Sequence, residues 1–238
     1  MTILCIIPAR AGSKGILNKN IINIGGHPLI SHSILTAKKS KFISRTIVST
    51  DSVEIKDIAT RYGAEVPFLR PVELAMDHST DREFLLHALE YLARNEKYYP
   101  ELIVHLRPTT PLRDVVVVDK AIELLLANRE ATSLRSAHLA PKTPYKWFHL
   151  SPDGYFYGIR PEDNRPEYYN LPRQAFPDVY DPNGYVDILR SDQINSSTSI
   201  HGDKILGFIT PHCHELDSQS DVEFMEFLFT QKNAIQSI

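Results

Sequence analysis

Short continuous apolar runs alternate along this chain with stretches whose apolar residues recur every three or four positions, the pattern of buried strands followed by amphipathic helices. The first run, I-L-C-I-I-P at 3–8, is apolar throughout and stops at a proline, which predicts a strand buried on both faces at the centre of a sheet. A glycine-bearing loop follows, and then a helix from Pro28, placed at the first helical position, with Leu29, Ile30, Ile34 and Ala37 on its apolar face. The alternation continues with a strand at 46–50, helices at 53–62 and 81–95, a strand at 102–106 and a helix at 114–128. After a break, patterning resumes with strands at 184–190 and 204–210 and a closing helix around 222–229. Strands alternating with helices predict an α/β fold, a mostly parallel central sheet flanked by helices. In such a fold ligands sit outside the carboxyl ends of the strands.

Composition changes the picture in one place. Residues 135–182 hold eight of the 16 prolines, six of the 11 tyrosines and the sole tryptophan, Trp147. Proline at this density breaks helices and central strands, and the aromatic residues suit an interface, so the stretch is expected to form an inserted arm within one 238-residue domain, making a dimer contact. Elsewhere the figures are ordinary: 42% hydrophobic, 23% charged and a formal net charge of −3, with no basic field to attract nucleic acid or an anionic membrane. Two cysteines give no disulfide framework, and the six-residue apolar start is too short for a signal peptide or membrane span. A cytoplasmic enzyme is the expectation. His212, Cys213 and His214 are consecutive and cannot converge on one zinc ion, and no histidine pairs with a serine and an acid as a hydrolytic triad.

The chemistry concentrates in P-A-R-A-G-S-K-G-I-L-N-K-N at 8–20, directly after the first strand. Three cations and no acid stand in this segment; its glycines allow a ligand close to the backbone, and Arg10, Lys14 and Lys19 can surround a polyphosphate. The spacing is neither that of a P-loop nor that of a dinucleotide-binding turn. Farther on, Glu215 and Asp217 are two apart, so an extended backbone puts both on one face, where they could hold a hard cation or cap the last helix. Asp51 ends a strand and is expected to cap the helix after it.

The 8–20 segment resembles the signature of the CMP-N-acylneuraminate (sialic-acid-type) cytidylyltransferases. Further blocks agree in order: S-T-D at 49–51, R-P-V-E-L-A-M-D at 70–77, L-R-P-T-T-P-L-R at 106–113, P-R-Q at 172–174, P-N-G at 182–184 and E-L-D-S-Q-S-D at 215–221. The resemblance implies a Rossmann-type nucleotide-sugar-transferase fold, transfer of a cytidylyl group from CTP to the anomeric hydroxyl of a nonulosonic acid, dependence on Mg²⁺, and a homodimer. It places Ala9, Arg10, Lys14, Asn20, Arg70 and Ser79 around the nucleotide, with Arg10, Lys19 and Asp217 as the catalytic set and Asp217 with Glu215 as metal ligands. Arg70 precedes Pro71, is therefore held extended, and could distinguish cytosine from uracil by its guanidinium. Ser79 and Thr80 are equally suited to capping the next helix.

On the acceptor side the resemblance implicates Arg107, Thr109, Lys146, Arg173 and Asp187, the lysine and Arg173 reaching a carboxylate from the arm, possibly across a dimer. The chain departs from the family at three places: Glu215 replaces a usual Asp, Arg107 a usual Gln and Asp187 a usual Tyr. The last two point to a related bacterial-type acceptor, legionaminic or pseudaminic acid, in place of N-acetylneuraminic acid. A Kdo-like acid as acceptor, or a noncatalytic nucleotide-binding regulator, are the readings that compete.

Overall fold

The computed structural model describes residues 1–13 and 15–236, so the expectation for Lys14 lies outside the described residues. In chain order the elements are β1 (Ile3–Pro8), β2 (Asn23–Ile24), β3 (His27–Pro28), α1 (Leu29–Lys39), β4 (Arg45–Ser49), α2 (Val53–Arg61), α3 (Asp81–Glu96), β5 (Leu102–His105) and α4 (Val115–Ala127). They continue with β6 (Ser133–Leu139), β7 (Phe148–Leu150), β8 (Phe156–Gly158), β9 (Tyr180–Arg190), α5 (Ser191–Ser196), β10 (Ile205–Ile209) and α6 (Gln219–Gln236). Six strands form the central sheet in the order β10-β6-β9-β5-β1-β4. All are parallel except β9, which runs antiparallel to β5 and β6.

The apolar run at 3–8 lies between β4 and β5 with Ile3 to Ile7 fully covered, as its lack of a polar face requires. Each such side chain stabilises the fold by about 2 kcal/mol. Alternate residues of the strands feed two layers. One face packs on α1, α2 and α4 through Ile34, Ile58 and Ile122, and the other on α3 and α5 through Phe84, Leu85 and Ile194. A third cluster, Ile16, Ile24, Leu29, Leu216 and Met225, ties the glycine-bearing loop and α6 to the β2–β3 pair.

Helix starts follow their side chains. Ser52 Oγ accepts from the Ile55 N–H at 3.3 Å, Asp114 Oδ1 from the Val116 N–H at 2.8 Å, and Thr80 with Glu83 makes a reciprocal capping box on α3. Pro28 stands just before α1 and not within it.

The expected arm is shorter than its composition suggested. Residues 135–139 belong to β6, paired with β9 and β10, because their side chains alternate into the sheet's layers despite the prolines that follow. The arm proper runs from 140 to 179 and contains the β7–β8 hairpin and three single 3₁₀ turns. Trp147, Leu150, Tyr155, Phe156 and Tyr157 are exposed on it, while Tyr168 and Phe176 form its small interior. Helix α5 had no pattern to announce it: six residues are too few for a 3.6-residue period to register.

Candidate active site

From β1 the chain crosses to β4 on one side, then returns past β1 to β5 on the other. The carboxyl ends of β1 and β5 therefore splay apart at a topological switch point, where open α/β sheets take their ligands. A cavity of about 460 Å³ opens there, lined among others by Pro8, Arg10, Gly15, Lys19, Asn20, Arg70, Ser79, Asp81, Arg107, Thr109 and Asp217. Residues scattered over more than 200 positions in the sequence thus share one wall-to-wall space.

The loop after β1 is held by backbone anchors that leave Arg10 and Lys19 lining the cavity. The Ala9 N–H donates to the Ser49 carbonyl at 3.0 Å, the Ala11 N–H to Asp51 Oδ1 at 2.8 Å, and Asn20 Nδ2 to the Arg10 carbonyl at 3.0 Å. Asp51 is a tether for this loop, and Ser52 supplies the cap expected of it. Gly12 adopts φ +71°, the left-handed region that glycine enters without strain. Gly15 is required for a different reason: a Cβ there would stand 2.6 Å from the Asp217 carbonyl oxygen.

Both described cations of the loop rest on carboxylates. Arg10 donates to Asp77 Oδ1 at 2.9 Å and to the Ala75 carbonyl at 3.1 Å, which locks the 70–77 segment across the cavity mouth. Lys19 Nζ donates to Asp217 Oδ1 at 2.9 Å, and the Asp217 side chain is 70% exposed. An incoming anion can take over either cation without leaving a buried charge behind.

Arg70 is buried beneath them. Its Nε donates to Ser49 Oγ at 3.0 Å and its Nη2 to the Ser49 carbonyl; the guanidinium lies 4.8 Å over the Phe84 ring. Burial lowers its pKa to about 10, so the cation persists at neutral pH. Ser79 closes the same loop upon itself, accepting from the Met76 N–H at 3.0 Å and donating to the Glu73 carbonyl at 3.2 Å; Thr80, not Ser79, is the cap.

At the other end of the cavity Arg107 is clamped. One guanidinium nitrogen donates to Asp187 Oδ2 and the other to Asp81 Oδ2, both at 2.7 Å. Burial works against the Arg107 cation, but Asp187 and Asp81 outweigh it and raise its pKa. Asp187 is only 1% exposed, which corrects the sequence-based expectation that it faces the acceptor: it holds Arg107, and Arg107 faces the cavity. Thr109 lines the cavity and fixes the far wall by accepting the Leu216 N–H at 2.9 Å. Glu215 is turned to the Gly184 N–H at 2.6 Å, so it anchors the start of the sheet-bound part of β9. Of the expected metal pair, only Asp217 lines the cavity.

Lys146 and Arg173 do not join this space. They share a separate cleft in the arm with Trp147, where Lys146 Nζ donates to the Leu171 carbonyl at 2.8 Å and Arg173 to the Ala140 carbonyl at 3.1 Å.

Three contributions escaped the sequence reading. Asp77 and Asp81 are the partners of Arg10 and Arg107, and nothing in a single sequence tells a counter-ion from a surface acid. Arg113, quoted only as the end of a motif, is buried and donates to the carbonyls of Arg107, Thr110, Gly184 and Tyr185 and to Ser33 Oγ. It gathers the 107–110 loop and the start of β9 around a single cation, whose pKa burial lowers to about 10.

A cation-rich loop and a buried arginine at the switch point of an open α/β sheet make this a nucleotide-binding fold. Residues 4–192 match the family model described as cytidylyltransferase, and the chain belongs to that family. It is 34% identical over 236 residues to post-translational flagellin modification protein B of Campylobacter coli, covering 97% of this chain and 96% of that one. Likewise it is 33% identical over 240 residues to CMP-N,N'-diacetyllegionaminic acid synthase of Campylobacter jejuni, covering 97% and 96%. Among solved structures, a CMP:2-keto-3-deoxy-manno-octonic acid synthetase in complex with CTP superimposes with a TM-score of 0.73 over 98% of this chain and 100% of that one. At 16% identity this likeness speaks for the fold. No described helix is long and apolar enough to cross a membrane.

Proposed function

We propose that this protein transfers a cytidylyl group from CTP to the anomeric hydroxyl of a nonulosonic acid, releasing pyrophosphate. The observation that carries this reading is the pairing, in one cavity of a cytidylyltransferase chain, of Arg10 and Lys19 on exchangeable carboxylate partners with a buried Arg70. The curated relatives aligned over nearly the whole chain include a synthase named for a CMP-nonulosonate.

In this reading the triphosphate replaces Asp77 and Asp217 as the partner of Arg10 and Lys19. The two cations then neutralise the charge that grows on the α-phosphorus oxygens and on the departing pyrophosphate. The new bond joins the anomeric oxygen to the α-phosphorus, the bond to the β-phosphate oxygen breaks, and the hydroxyl proton leaves to solvent. Cytosine offers O2 and N3 as acceptors beside an amine donor, which suits the remaining N–H groups of Arg70.

Mg²⁺ fits the donor set. Among the described residues no cluster of three ligating side chains exists, but Mg²⁺ characteristically takes one or two carboxylates together with substrate phosphates and water. Asp217 would hold it, and the ion would supply positive charge that polarises the phosphates. The release of Lys19 by the phosphates frees the Asp217 carboxylate for that role.

The arm is assigned to dimerisation. Its exposed Trp147, Tyr155, Phe156 and Tyr157 offer apolar area of the kind that partners cover, and Lys146 and Arg173, which do not line their own chain's cavity, would serve the acceptor carboxylate of a second copy.

The test is pyrophosphate release with CTP or UTP, Mg²⁺ and each of a panel of nonulosonic acids. Release is expected only when acid and CTP are both present, with UTP at least tenfold poorer, since mismatched buried groups cost about 1–3 kcal/mol each. CTP binding without pyrophosphate release for any acid would instead define a noncatalytic nucleotide-binding regulator.

A further inference from the structure

One carboxylate of the cavity has no part in the reaction above. Asp81 opens α3 directly after the Thr80 cap and lines the cavity together with Arg70, Phe84 and Arg107. Its Oδ2 accepts from Arg107 at 2.7 Å. Its Oδ1 has no hydrogen-bond partner among the described residues and, unlike the unpartnered Oδ1 of Asp187, is not closed off from solvent; the side chain is 38% exposed. The other two carboxylates that line the cavity with it, Asp77 and Asp217, rest on the loop cations Arg10 and Lys19.

The open Asp81 oxygen stands near an open donor. Asp81 and Phe84 are three apart on α3 and share one face of the helix, and the Arg70 guanidinium lies 4.8 Å over the Phe84 ring. After burial, the charges that act on the Arg70 cation are those of Asp51, Arg10 and Asp81. Arg70 spends Nε and Nη2 on Ser49, while Nη1 has no partner among the described residues and is likewise not closed off. Asp81 is ion-paired with Arg107 and not with Arg70, so neither open atom satisfies the other. A ligand edge that serves both must accept from the guanidinium and donate to the carboxylate. An ionised carboxylate accepts and never donates, and it repels phosphate and carboxylate groups, so its partner is an uncharged N–H or O–H. Cytosine carries the required pair on adjacent positions, the N3 acceptor beside the 4-amine donor, and carboxylates accept from that amine. A hydroxyl group has no such fixed order of acceptor and donor.

We infer that Asp81 is a specificity-determining residue whose Oδ1 accepts a hydrogen bond from the 4-amine of cytosine, while Arg70 donates to N3 and Arg107 holds the carboxylate in place. This rests on the cytidylyl-transfer reading of the site. Arg70 has donors only, so it cannot serve the amine; Asp81 supplies the missing acceptor. Uracil reverses the order: its O4 would face the Asp81 oxygen with no proton between them, and its N3–H would face the guanidinium.

The test measures binding of CTP, of UTP and of the CTP analogue with hydrogen in place of the 4-amine, by calorimetry with Mg²⁺ and no acceptor. The proteins are the unsubstituted chain, Asp81→Asn and Asp81→Ala. In the unsubstituted protein, removal of the amine is expected to weaken binding about tenfold. In Asp81→Asn the Arg107 guanidinium keeps the amide oxygen and turns the NH₂ toward the ligand, so CTP binding falls and the ratio of CTP to UTP affinity drops at least about tenfold. In Asp81→Ala the amine has lost its acceptor, and CTP and the analogue are expected to bind alike. A merely structural Asp81 would weaken all three nucleotides equally, and that result, or ratios that do not move, overturns the assignment. Failure of the unsubstituted protein to bind CTP overturns the cytidylyl-transfer reading and this role with it, whereas a preference for CTP that survives both substitutions overturns the role of Asp81 alone.

Discussion

His105 provides a quantitative probe of the buried charges beside Arg107 at one end of the cavity. Its ring is completely buried against Phe84, with centroids 5.6 Å apart, and neither ring nitrogen has a hydrogen-bond partner among the described residues. Burial first, and the neighbouring Arg107 cation second, outweigh Asp81 and Asp187 and lower its pKa from 6.5 to about 4. The folded protein therefore keeps His105 neutral where the unfolded chain would already be protonated. The full stability is present above the unfolded value and is lost as pH falls from 6.5 toward 4, where the loss levels off. Between pH 7 and pH 5 the arithmetic gives about 2 kcal/mol for this one group. Burial also lowers His87, His201 and His214, so the difference between two proteins is what isolates His105. Urea unfolding of the unsubstituted protein and of His105→Gln at both pH values supplies it. Loss of stability on acidification should be smaller in His105→Gln by about 2 kcal/mol, whatever the variant's stability at pH 7. Equal losses in the two proteins would show that His105 is already solvated or charged, and that burial beside Arg107 does not keep its ring neutral.

Asp217→Asn should cut turnover by more than tenfold and raise the Mg²⁺ needed for half-maximal rate, with the melting temperature unchanged because the side chain is exposed; near-normal rates at limiting Mg²⁺ would remove it as a ligand. Gly15→Ala places a methyl group against the Asp217 backbone, so saturating-substrate turnover should drop while stability changes little; unaltered turnover would mean the loop has room to yield. In Arg113→Met four carbonyls lose their donor at once, and urea unfolding should register a loss of at least about 3 kcal/mol; a loss below about 1 kcal/mol would contradict its organising role.

Much of the layered architecture was legible because burial on two faces leaves unbroken apolar runs and burial on one leaves a helical period. The run at 3–8 became a strand buried on both faces, though it stands one place in from the β4 edge and not at the centre of the sheet, and the helices at α1 to α4 began within one residue of their expected starts. Strand β6 was obscured by its context: Arg135 and the prolines after it resemble a loop, yet Leu134 and Ser136 are buried against the sheet. The antiparallel course of β9 has no local signature either, since parallel and antiparallel strands share the same two-residue period.

The loop-lined half of the site was read from glycines and cations clustered in one stretch of the sequence. The other half rests on pairs 26 and 80 residues apart, Asp81 with Arg107 and Arg107 with Asp187. A departure at 187 was visible in the sequence; that its carboxylate is buried and paired with Arg107 became visible only in three dimensions. The same holds for Glu215, whose spacing from Asp217 suggested a metal pair while its carboxylate is engaged by the Gly184 N–H.

The proposed reaction joins the α-phosphorus of CTP to the anomeric oxygen of a nonulosonic acid in one cavity. Incubation with CTP, Mg²⁺ and a single acid labelled with heavy oxygen at the anomeric hydroxyl, read by mass spectrometry, addresses it directly. The expected product is a CMP-sugar that retains the heavy oxygen, formed with one pyrophosphate per molecule. Hydrolysis of CTP with no sugar adduct, or an adduct that has lost the label, would contradict the direct displacement at this site.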